Sequence, residues 1–366
     1  MKKFFNLNLI LACAGFCFGA TSVVFAHGEK GVENNHTHNE TNENLSVLRT
    51  GQGDFIFSWD QNLTAAFPEE AKKYEPRMHG GFNEDPETGI VYTGIPDYGL
   101  CSISADLKTW KKLGTDNRLK ENIHGLVFFA HDGKKMLALA QHSRVLITDF
   151  EGDPIQELNS PKGGEFSNST VNKYYSSAKS KFNCTDVTYL DGKLYVVTGY
   201  SPGDFVLTAE KHKGKWVWGK IAWGKKGNKP GQFTTAHGVF AHEDHIYVAN
   251  REAHQVIKFT KDGKLVKLLS DIPTKSRICN VAFLKNHFFF CPLVKIGKQK
   301  SAPIYVHTGD KLVSTIIPGE LNIPVLNKIH HAWPHEVTES DGTKQLYILV
   351  HGWNKGKFAV LKHEVK

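Results

Sequence analysis

Cysteine, methionine and long apolar runs are scarce in this chain. Six cysteines among 366 residues exclude a small domain held together by many disulfides. Beyond residue 26 no apolar run is long enough to span a bilayer, so no membrane span is predicted. The apolar content is an ordinary 40%, which excludes a disordered chain and a collagen-like chain. A globular protein with one large core or two modest ones is therefore expected.

The first 26 residues predict a secretion signal. Two lysines at positions 2–3 precede an apolar stretch over 4–18, and Val24-Phe25-Ala26 is typical of a cleavage site. The protein is therefore expected in the periplasm or outside the cell. A second interpretation makes Cys13, after Ile10-Leu11-Ala12, the lipid-anchored residue of a lipoprotein. The apolar run before Cys13 is short for that role.

Cleavage after residue 26 leaves a basic chain with four cysteines. The formal net charge falls from +8 to +6 when the lysines at 2–3 are removed, and a basic protein invites a nucleic-acid or membrane-surface interpretation. The densest basic stretch, 211–215, has the composition of a solvated hairpin turn between strand residues. Together with export, this predicts that the protein has no nucleic-acid partner.

Residues 27–44 are rich in His, Asn and Glu and contain almost nothing apolar, so a disordered tether is predicted over 27–51. Its histidines either scavenge metal ions or belong to a plain polar spacer. From residue 52 the pattern changes to short runs of Val, Ile, Phe, Tyr and Leu between Asp-Gly, Asn and Pro turns. That pattern, with no sustained helical period, predicts an all-β domain over 52–366.

The all-β domain repeats one unit, in which small or polar residues precede an apolar strand, a turn and a second apolar strand. Successive units start between 42 and 60 residues apart, a spacing that favours four-stranded blades. We predict a six-bladed β-propeller in which residues 55–59 return to complete the last blade and leave no exposed edge. The six units begin at His79, His124, Cys184, His237, Cys279 and His335.

These six starting residues are predicted to form a ring around one end of the axial channel, because the first strand of each blade lines that channel. Alternate blades are related by 120°, so His124, His237 and His335 would face one point and offer a catalytic zinc ion three nitrogens. Structural histidines on a channel wall are the alternative. The remaining set, His79, Cys184 and Cys279, suits a second zinc or copper ion, or it packs between the ligands without binding one.

Residues that follow the second strand of each blade return to the face that carries the ring, because the first two strands are antiparallel. Tyr200 follows such a strand, and it is a proton-transfer candidate if a neighbouring cation lowers its pKa. Arg251 follows another, and its planar guanidinium suits a substrate carboxylate.

The stretches 230–238, with Thr235-Ala236-His237-Gly238, and 246–252, with Asn250-Arg251-Glu252, resemble an NHL repeat. More closely they resemble the peptidyl-α-hydroxyglycine α-amidating lyases, from about Gly80 to the C-terminus. The resemblance implies zinc ligation by His124, His237 and His335, a catalytic Tyr200 and a substrate-binding Arg251. It also implies a structural calcium ion held at Phe82, Leu126 and Glu336. The implied reaction cleaves the N–Cα bond of a carbinolamide at a peptide end or in a small molecule, and releases an amide and glyoxylate.

Three departures from the family pattern keep other functions open. The family's second active-site arginine aligns with Ile95, and Arg77 is the candidate to replace it. Glu336 stands where the family has a shorter aspartate. His79, Cys184 and Cys279 stand where the family has no ligands, which suggests a modified metal centre. The alternatives to an exported lyase-like metalloenzyme are a non-catalytic periplasmic metal-binding or interaction propeller and a copper redox protein.

Overall fold

The computed structural model describes residues 47–323 and 326–364. The predicted signal peptide, the alternative lipoprotein site at Cys13 and most of the predicted tether lie outside these residues. No helix within the described ranges is long and apolar enough to cross a membrane. The hairpin predicted at 211–215 is present, because Val206–His212 and Lys215–Trp223 are antiparallel strands joined by a two-residue turn.

Six antiparallel sheets form the blades of a propeller, so the predicted fold is confirmed. Blade 1 comprises β3 (Phe82–Glu84), β4 (Val91–Ile95), β5 (Gly99–Ile103) and β6 (Trp110–Leu113). Blade 2 comprises β7 (Gly125–His131), β8 (Lys134–Ala140), β9 (Val145–Asp149) and β10 (Pro154–Leu158). Blade 3 comprises β11 (Asp186–Leu190), β12 (Lys193–Val197), β13 (Val206–His212) and β14 (Lys215–Trp223). Blade 4 comprises β15 (Ala236–His242), β16 (His245–Asn250), β17 (Gln255–Thr260) and β18 (Leu265–Leu268). Blade 5 comprises β19 (Ile278–Leu284), β20 (His287–Pro292), β21 (Ile304–Thr308) and β22 (Lys311–Ile316). Blade 6 contains β23 (Ile329–Thr338), β24 (Lys344–Gly352) and β25 (Phe358–His363). The two α-helices are α1 (Gln61–Ala65) and α2 (Ser169–Tyr175), and short 3-10 helices cover Glu69–Ala71, Glu75–Arg77, Asn117–Lys120, Arg251–Ala253 and Pro318–Leu321.

The N-terminal strands close the ring. Strand β2 (Phe55–Asp60) pairs with β25 and supplies the outer strand of blade 6, as the sequence predicts. Strand β1 (Thr50–Gln52) adds a fifth strand to the same sheet and contacts β22 of blade 5. β1 begins two residues before the predicted start of the propeller. The first strands of neighbouring blades contact one another all round the ring, β23 and β3 included, so these strands surround the axis.

The core lies between neighbouring blades, and β8 shows why its sequence is apolar at successive positions. Met136 and Ala138 pack toward blade 3, whereas Leu137 and Leu139 pack toward blade 1. Successive side chains of a strand point to opposite faces of the sheet, and both faces of a blade are covered by its neighbours. A strand buried on both faces reads as a continuous apolar run.

Candidate metal centre and adjoining cavity

The strand register places the ring residue of blade 6 at His330 and corrects the prediction of His335. In blades 4 and 5 the first strand has a bulge at its second residue, which is His237 in one blade and Cys279 in the other. The same bulge in β23 falls on His330. His335 lies five residues further along the strand, which is about 16 Å of extended chain.

The side chain of His335 is held away from the axis by blade 1. Its Nδ1 lies 2.8 Å from a carboxylate oxygen of Glu84, and its Nε2 lies 2.8 Å from the carbonyl oxygen of Ala105. Burial lowers the pKa of His335, but these two oxygens together raise it above its ordinary value. Both ring nitrogens are therefore committed to hydrogen bonds, and His335 is a structural residue in this fold.

Three imidazoles from blades 2, 4 and 6 form a nearly equilateral triangle at the axis. The ring centre of His124 lies 4.8 Å from that of His237 and 4.9 Å from that of His330, and the third side is 5.0 Å. Imidazoles that share one tetrahedral zinc ion, with Zn–N bonds of about 2.1 Å, have ring centres about 5 Å apart. The spacing of the ring centres therefore suits a three-nitrogen metal site, while the ligand atoms that lie within 4.8 Å of one another belong to two other sets of residues, both of which contain His330.

Hydrogen bonds to the backbone orient two of these three rings. Nδ1 of His124 lies 2.5 Å from the carbonyl oxygen of Thr185, and Nδ1 of His237 lies 2.9 Å from that of Cys279. A carbonyl oxygen only accepts, so each Nδ1 carries the proton and each Nε2 keeps its lone pair. Such a partner on the far nitrogen is the usual second shell of a metal-binding histidine.

The third ring, His330, has no such partner. It is only 3% exposed, and neither of its nitrogens has a hydrogen-bond partner among the described residues. Burial lowers the pKa of His124, His237 and His330 well below the ordinary value, so all three are neutral, as metal ligation requires. A buried imidazole without partners costs free energy unless something binds it.

Glycine follows His124 and His237 because neighbouring blades approach the backbone closely there. A Cβ on Gly125 would lie 2.0 Å from a carboxylate oxygen of Asp186, and a Cβ on Gly238 would lie 2.4 Å from the carbonyl oxygen of Cys279. That carbonyl is the one that accepts the hydrogen bond from His237. The His-Gly repeat of the sequence therefore reflects the packing that sets the ring geometry.

The second predicted set, His79, Cys184 and Cys279, does not assemble as such. Ligand atoms of His79, His124 and His330 lie within 4.8 Å of one another, and so do those of His237, Cys279 and His330. Burial lowers the pKa of His79 to about 3 and raises that of the Cys279 thiol to about 12, although Arg251 opposes the second shift.

Cys184 does not reach the ring, which corrects its assignment as a ring residue. Its sulfur packs in the hydrophobic core between blades 2 and 3, at 3.2 Å from the carbonyl oxygen of Arg144. The next residue, Thr185, lines the channel instead. The shift is one residue, and in an extended chain one residue turns the side chain to the opposite face.

The Tyr200 hydroxyl lies at the mouth of the triangle. It is 3.3 Å from Nε2 of His124 and 3.0 Å from Nε2 of His237, and Nη1 of Arg251 donates to it at 3.1 Å. Burial raises the pKa of Tyr200 above its ordinary value, and Arg251 opposes this shift. The residues after β12 and β16 thus return to the ring face, where the antiparallel hairpins were expected to bring them.

A cavity of about 280 Å³ opens beside the triangle, and its wall is cationic. Tyr200, Arg251 and His330 contribute to its lining, together with Arg277 and Lys328, and its described lining contains no carboxylate. Glu252, next to this wall, accepts hydrogen bonds from Arg251 at 2.9 Å and from Arg277 at 2.5 Å. Three cations and one adjacent carboxylate leave a net positive charge, which favours an anionic ligand.

Arg77 borders a second cavity, which adjoins the first because both are lined by His79 and Trp353. Its guanidinium forms an ion pair with Asp97, its side chain is 64% exposed, and it borders a cavity of about 410 Å³ together with His79 and Asn122. Arg277, which the sequence analysis did not select, is the second arginine that shares the cavity of Arg251.

Of the predicted calcium residues, Phe82 and Leu126 lie on the contacting first strands β3 and β7. The Glu336 carboxylate pairs with Lys285 and Lys344, and the calcium site stays a prediction. The residue beside Phe82 is His331, whose Nδ1 lies 3.4 Å from the Phe82 backbone nitrogen. Glu336 was selected with the same five-residue offset that misplaced His335.

A sequence signal for His330 existed at the start of the strand. Ile329-His330 matches Ala236-His237 and Ile278-Cys279, where a small or apolar residue precedes the ring residue. The match is hidden when the blades are aligned on the turn between their first and second strands. β23 and β24 have ten and nine residues, whereas β19 and β20 have seven and six, so the starts of the strands fall out of step.

Comparison with known proteins supports the architecture. No family model matches the chain, and no curated protein matches it. Among solved structures, the protein is similar to a gluconolactonase from Xanthomonas campestris described as important in glucose secondary metabolic pathways, with a TM-score of 0.53 over 87% of this chain and 95% of that one. The two are 11% identical, so the likeness shows the fold alone. The resemblance to NHL repeats and to amidating lyases is not shown by these comparisons.

Proposed function

We propose that this protein is an exported, metal-dependent enzyme that cleaves a small carboxylate-bearing substrate by a lyase reaction. The observation that carries the proposal is the triangle of His124, His237 and His330, with the Tyr200 hydroxyl and the Arg251 guanidinium at its mouth. Export rests on the N-terminal signal pattern of the sequence.

The three imidazoles are the residues that would hold the metal. They are neutral, and in two of them Nδ1 is committed to a backbone carbonyl, so the donor set is nitrogen and fits zinc. A dication bound there would polarise a substrate hydroxyl and lower the pKa of a neighbouring phenol. Three protein ligands leave a tetrahedral ion one open position, which is typical of catalytic zinc.

Tyr200 is the proton-transfer residue in this proposal. Its hydroxyl borders both the triangle and the 280 Å³ cavity, so a substrate in the cavity would present its own hydroxyl to that oxygen. The hydrogen bond from Arg251 stabilises the phenolate form and opposes the effect of burial. General acid–base transfer of this kind accelerates a reaction by about 10²–10⁴-fold.

The cationic wall selects the substrate class. Arg251 and Arg277 share one carboxylate partner, Glu252, and Lys328 adds a third positive charge to the wall. A carboxylate in the cavity would balance that charge and be held by the planar guanidinium groups. The volume of about 280 Å³ admits the end of a peptide or a small acid.

The reaction that these groups suit is cleavage of an N-acyl-α-hydroxyglycine. In its phenolate form Tyr200 takes the proton of the substrate hydroxyl, whose oxygen forms a carbonyl as the N–Cα bond breaks, and Tyr200 then gives that proton to the departing amide nitrogen. An amide and glyoxylate result, with no net change in atoms or oxidation state. Arg251 and Arg277 hold the carboxylate that becomes part of glyoxylate.

The test measures bound metal and glyoxylate release on protein purified from the exported fraction, without added metal or chelator. We expect about one zinc per chain and glyoxylate formation. Tyr200→Phe should keep the zinc and lose about 10²–10⁴-fold in turnover. Tyr195→Phe is the matched control, because Tyr195 is buried in the same blade with its hydroxyl on the Lys261 carbonyl, away from the centre. Zinc without glyoxylate release would favour a non-catalytic metal-binding propeller, and absence of metal would overturn the proposal.

A further inference from the structure

A cysteine sulfur lies at the centre together with two of the proposed imidazole ligands. The sulfur of Cys279 and one ring nitrogen each of His237 and His330 lie within 4.8 Å of one another, and all three residues are buried. Cys279 occupies the bulge of β19, the position that His237 and His330 hold in their own blades. The fold therefore presents this thiol to the axis as it presents the histidines.

The environment of Cys279 differs from that of the other cysteines that the structure describes. Cys101, Cys184 and Cys291 are buried in the hydrophobic core between blades. Cys279 instead lines the channel beside the imidazoles, where burial raises the pKa of its thiol and the positive charge of Arg251 opposes that shift. Arg251 stabilises a thiolate there, as a positive charge does for reactive and metal-binding cysteines.

His330 is the independent observation that points to a ligand. This side chain is 3% exposed and belongs to both groups of ligand atoms, and its nitrogens have no partners within the described part of the chain. The Cys279 sulfur is close enough to join an ion that His330 and His237 bind, because Zn–S and Zn–N bonds of about 2.3 and 2.1 Å bring such atoms together.

His79, the other residue near His330, is less suited to ligation. The Asn122 amide nitrogen lies 3.0 Å from Nδ1 of His79 and 2.9 Å from Nε2 of His142. Nδ1 of His142 lies 2.8 Å from the side-chain oxygen of Asn183, so it carries the proton, and its Nε2 accepts from Asn122. The same amide donates to Nδ1 of His79, which leaves the proton on Nε2 and removes that lone pair.

We propose that Cys279 is the fourth protein ligand of the axial centre, so that the metal is held by three imidazoles and one thiolate. This inference rests on the metal centre of the proposed function and adds the metal class. A thiolate favours thiophilic ions such as zinc, cobalt(II) and copper(I) over calcium and magnesium. Four protein ligands also fill a tetrahedral ion, so substrate must displace the sulfur or raise the coordination number to five.

The test replaces the native metal of the full-length protein with cobalt(II) and records its absorption spectrum. Thiolate ligation produces an intense near-ultraviolet charge-transfer band, whereas nitrogen ligation alone produces only the weaker visible bands. We expect the intense band in the unaltered protein and its loss in Cys279→Ser, with the visible bands retained. Zinc affinity of that variant should fall by more than about tenfold, since even outer-shell changes cost 10–100-fold.

Cys184→Ser is the matched control, because Cys184 is equally buried but contacts the Arg144 carbonyl in the core. It should keep the charge-transfer band and the zinc affinity. Cobalt bound with visible bands but no charge-transfer band in the unaltered protein would overturn the fourth ligand and leave the three-histidine centre standing. Failure to bind cobalt or zinc at all would overturn both. The spectrum of the unaltered protein decides the question even if Cys279→Ser does not fold.

Discussion

Separate replacement of His330 and His335 by alanine distinguishes the ring position that the structure assigns from the one that the sequence pattern suggested. The two histidines lie five residues apart on the same strand, and both are almost fully buried. They differ in their partners, because His335 hydrogen-bonds with Glu84 and the Ala105 carbonyl, whereas the described residues provide none for His330. We therefore expect opposite effects on metal affinity and on stability.

His330→Ala should weaken metal binding without unfolding the protein. A four-ligand zinc site contributes about 10–16 kcal/mol, so one ligand accounts for about 2.5–4 kcal/mol, or roughly 10²–10³-fold in affinity. In the metal-free protein the substitution removes packing, which costs about 2 kcal/mol, but it also removes buried nitrogens without partners, which recovers about 1–3 kcal/mol. The net change in the free energy of unfolding should therefore stay within about 1 kcal/mol.

His335→Ala should destabilise the protein and leave metal affinity unchanged. The substitution strips a hydrogen bond from the Glu84 carboxylate and another from the Ala105 carbonyl, each at 2.8 Å. A hydrogen bond to a charged group contributes about 1.5–3 kcal/mol and a neutral one about 0.5–1.5 kcal/mol, so the free energy of unfolding should fall by about 2–4.5 kcal/mol.

Zinc affinity is measured by competition with a chromophoric chelator, and stability by urea unfolding of the metal-stripped protein. The reasoning is refuted if His335→Ala loses zinc affinity by 10²-fold or more while His330→Ala keeps it. A large loss of apo stability in His330→Ala would show that its nitrogens have partners in solution.

Two further predictions concern pH and substrate charge. Burial lowers the pKa of His351 to about 4, below the unfolded value near 6.5, so its contribution to stability is present above pH 6.5 and is lost as pH falls toward 4. About 2 kcal/mol should be lost between pH 8 and pH 5, and His351→Gln should remove that part of the acid sensitivity in urea unfolding. Arg277→Gln should raise KM by about 10–100-fold with little change in kcat, because it removes a charge-assisted contact of about 1.5–3 kcal/mol. A substrate analogue with a neutral carboxamide should show no such difference from the unaltered protein, and an equal effect on both substrates would contradict carboxylate recognition by Arg277.

The sequence was sufficient to predict the fold because each blade repeats the same local physics. Alternation of apolar strands with Asp-Gly and similar turns is encoded within each unit, and six units are enough to close a ring. The return of 55–59 to the last blade follows from the same count of strands. Tyr200 and Arg251 could be placed at the ring face because each follows the second strand of an antiparallel hairpin.

The composition of the centre was predicted only in part. His124 and His237 are each followed by a glycine, because the next blade leaves no space for a side chain there. Their pattern is therefore visible in the sequence. In blade 6 His331 takes the glycine's place and the strands are longer, so alignment on the hairpin turn selected His335. The prediction of Cys184 as a ring residue was wrong for a different reason. An error of one residue in an extended strand moves a side chain from the channel to the core.

The sequence by itself determined the all-β propeller, the number of blades and the face on which the chemical groups gather, because these follow from local strand and turn preferences. Only the tertiary structure decided which residues meet at the axis. Strand register, the bulges at His237, Cys279 and His330, and the contacts across blade interfaces determine it, and the residues involved are far apart in the chain. Arg277 joins Arg251 in one cavity for the same reason, because adjacent blades bring them to a shared Glu252.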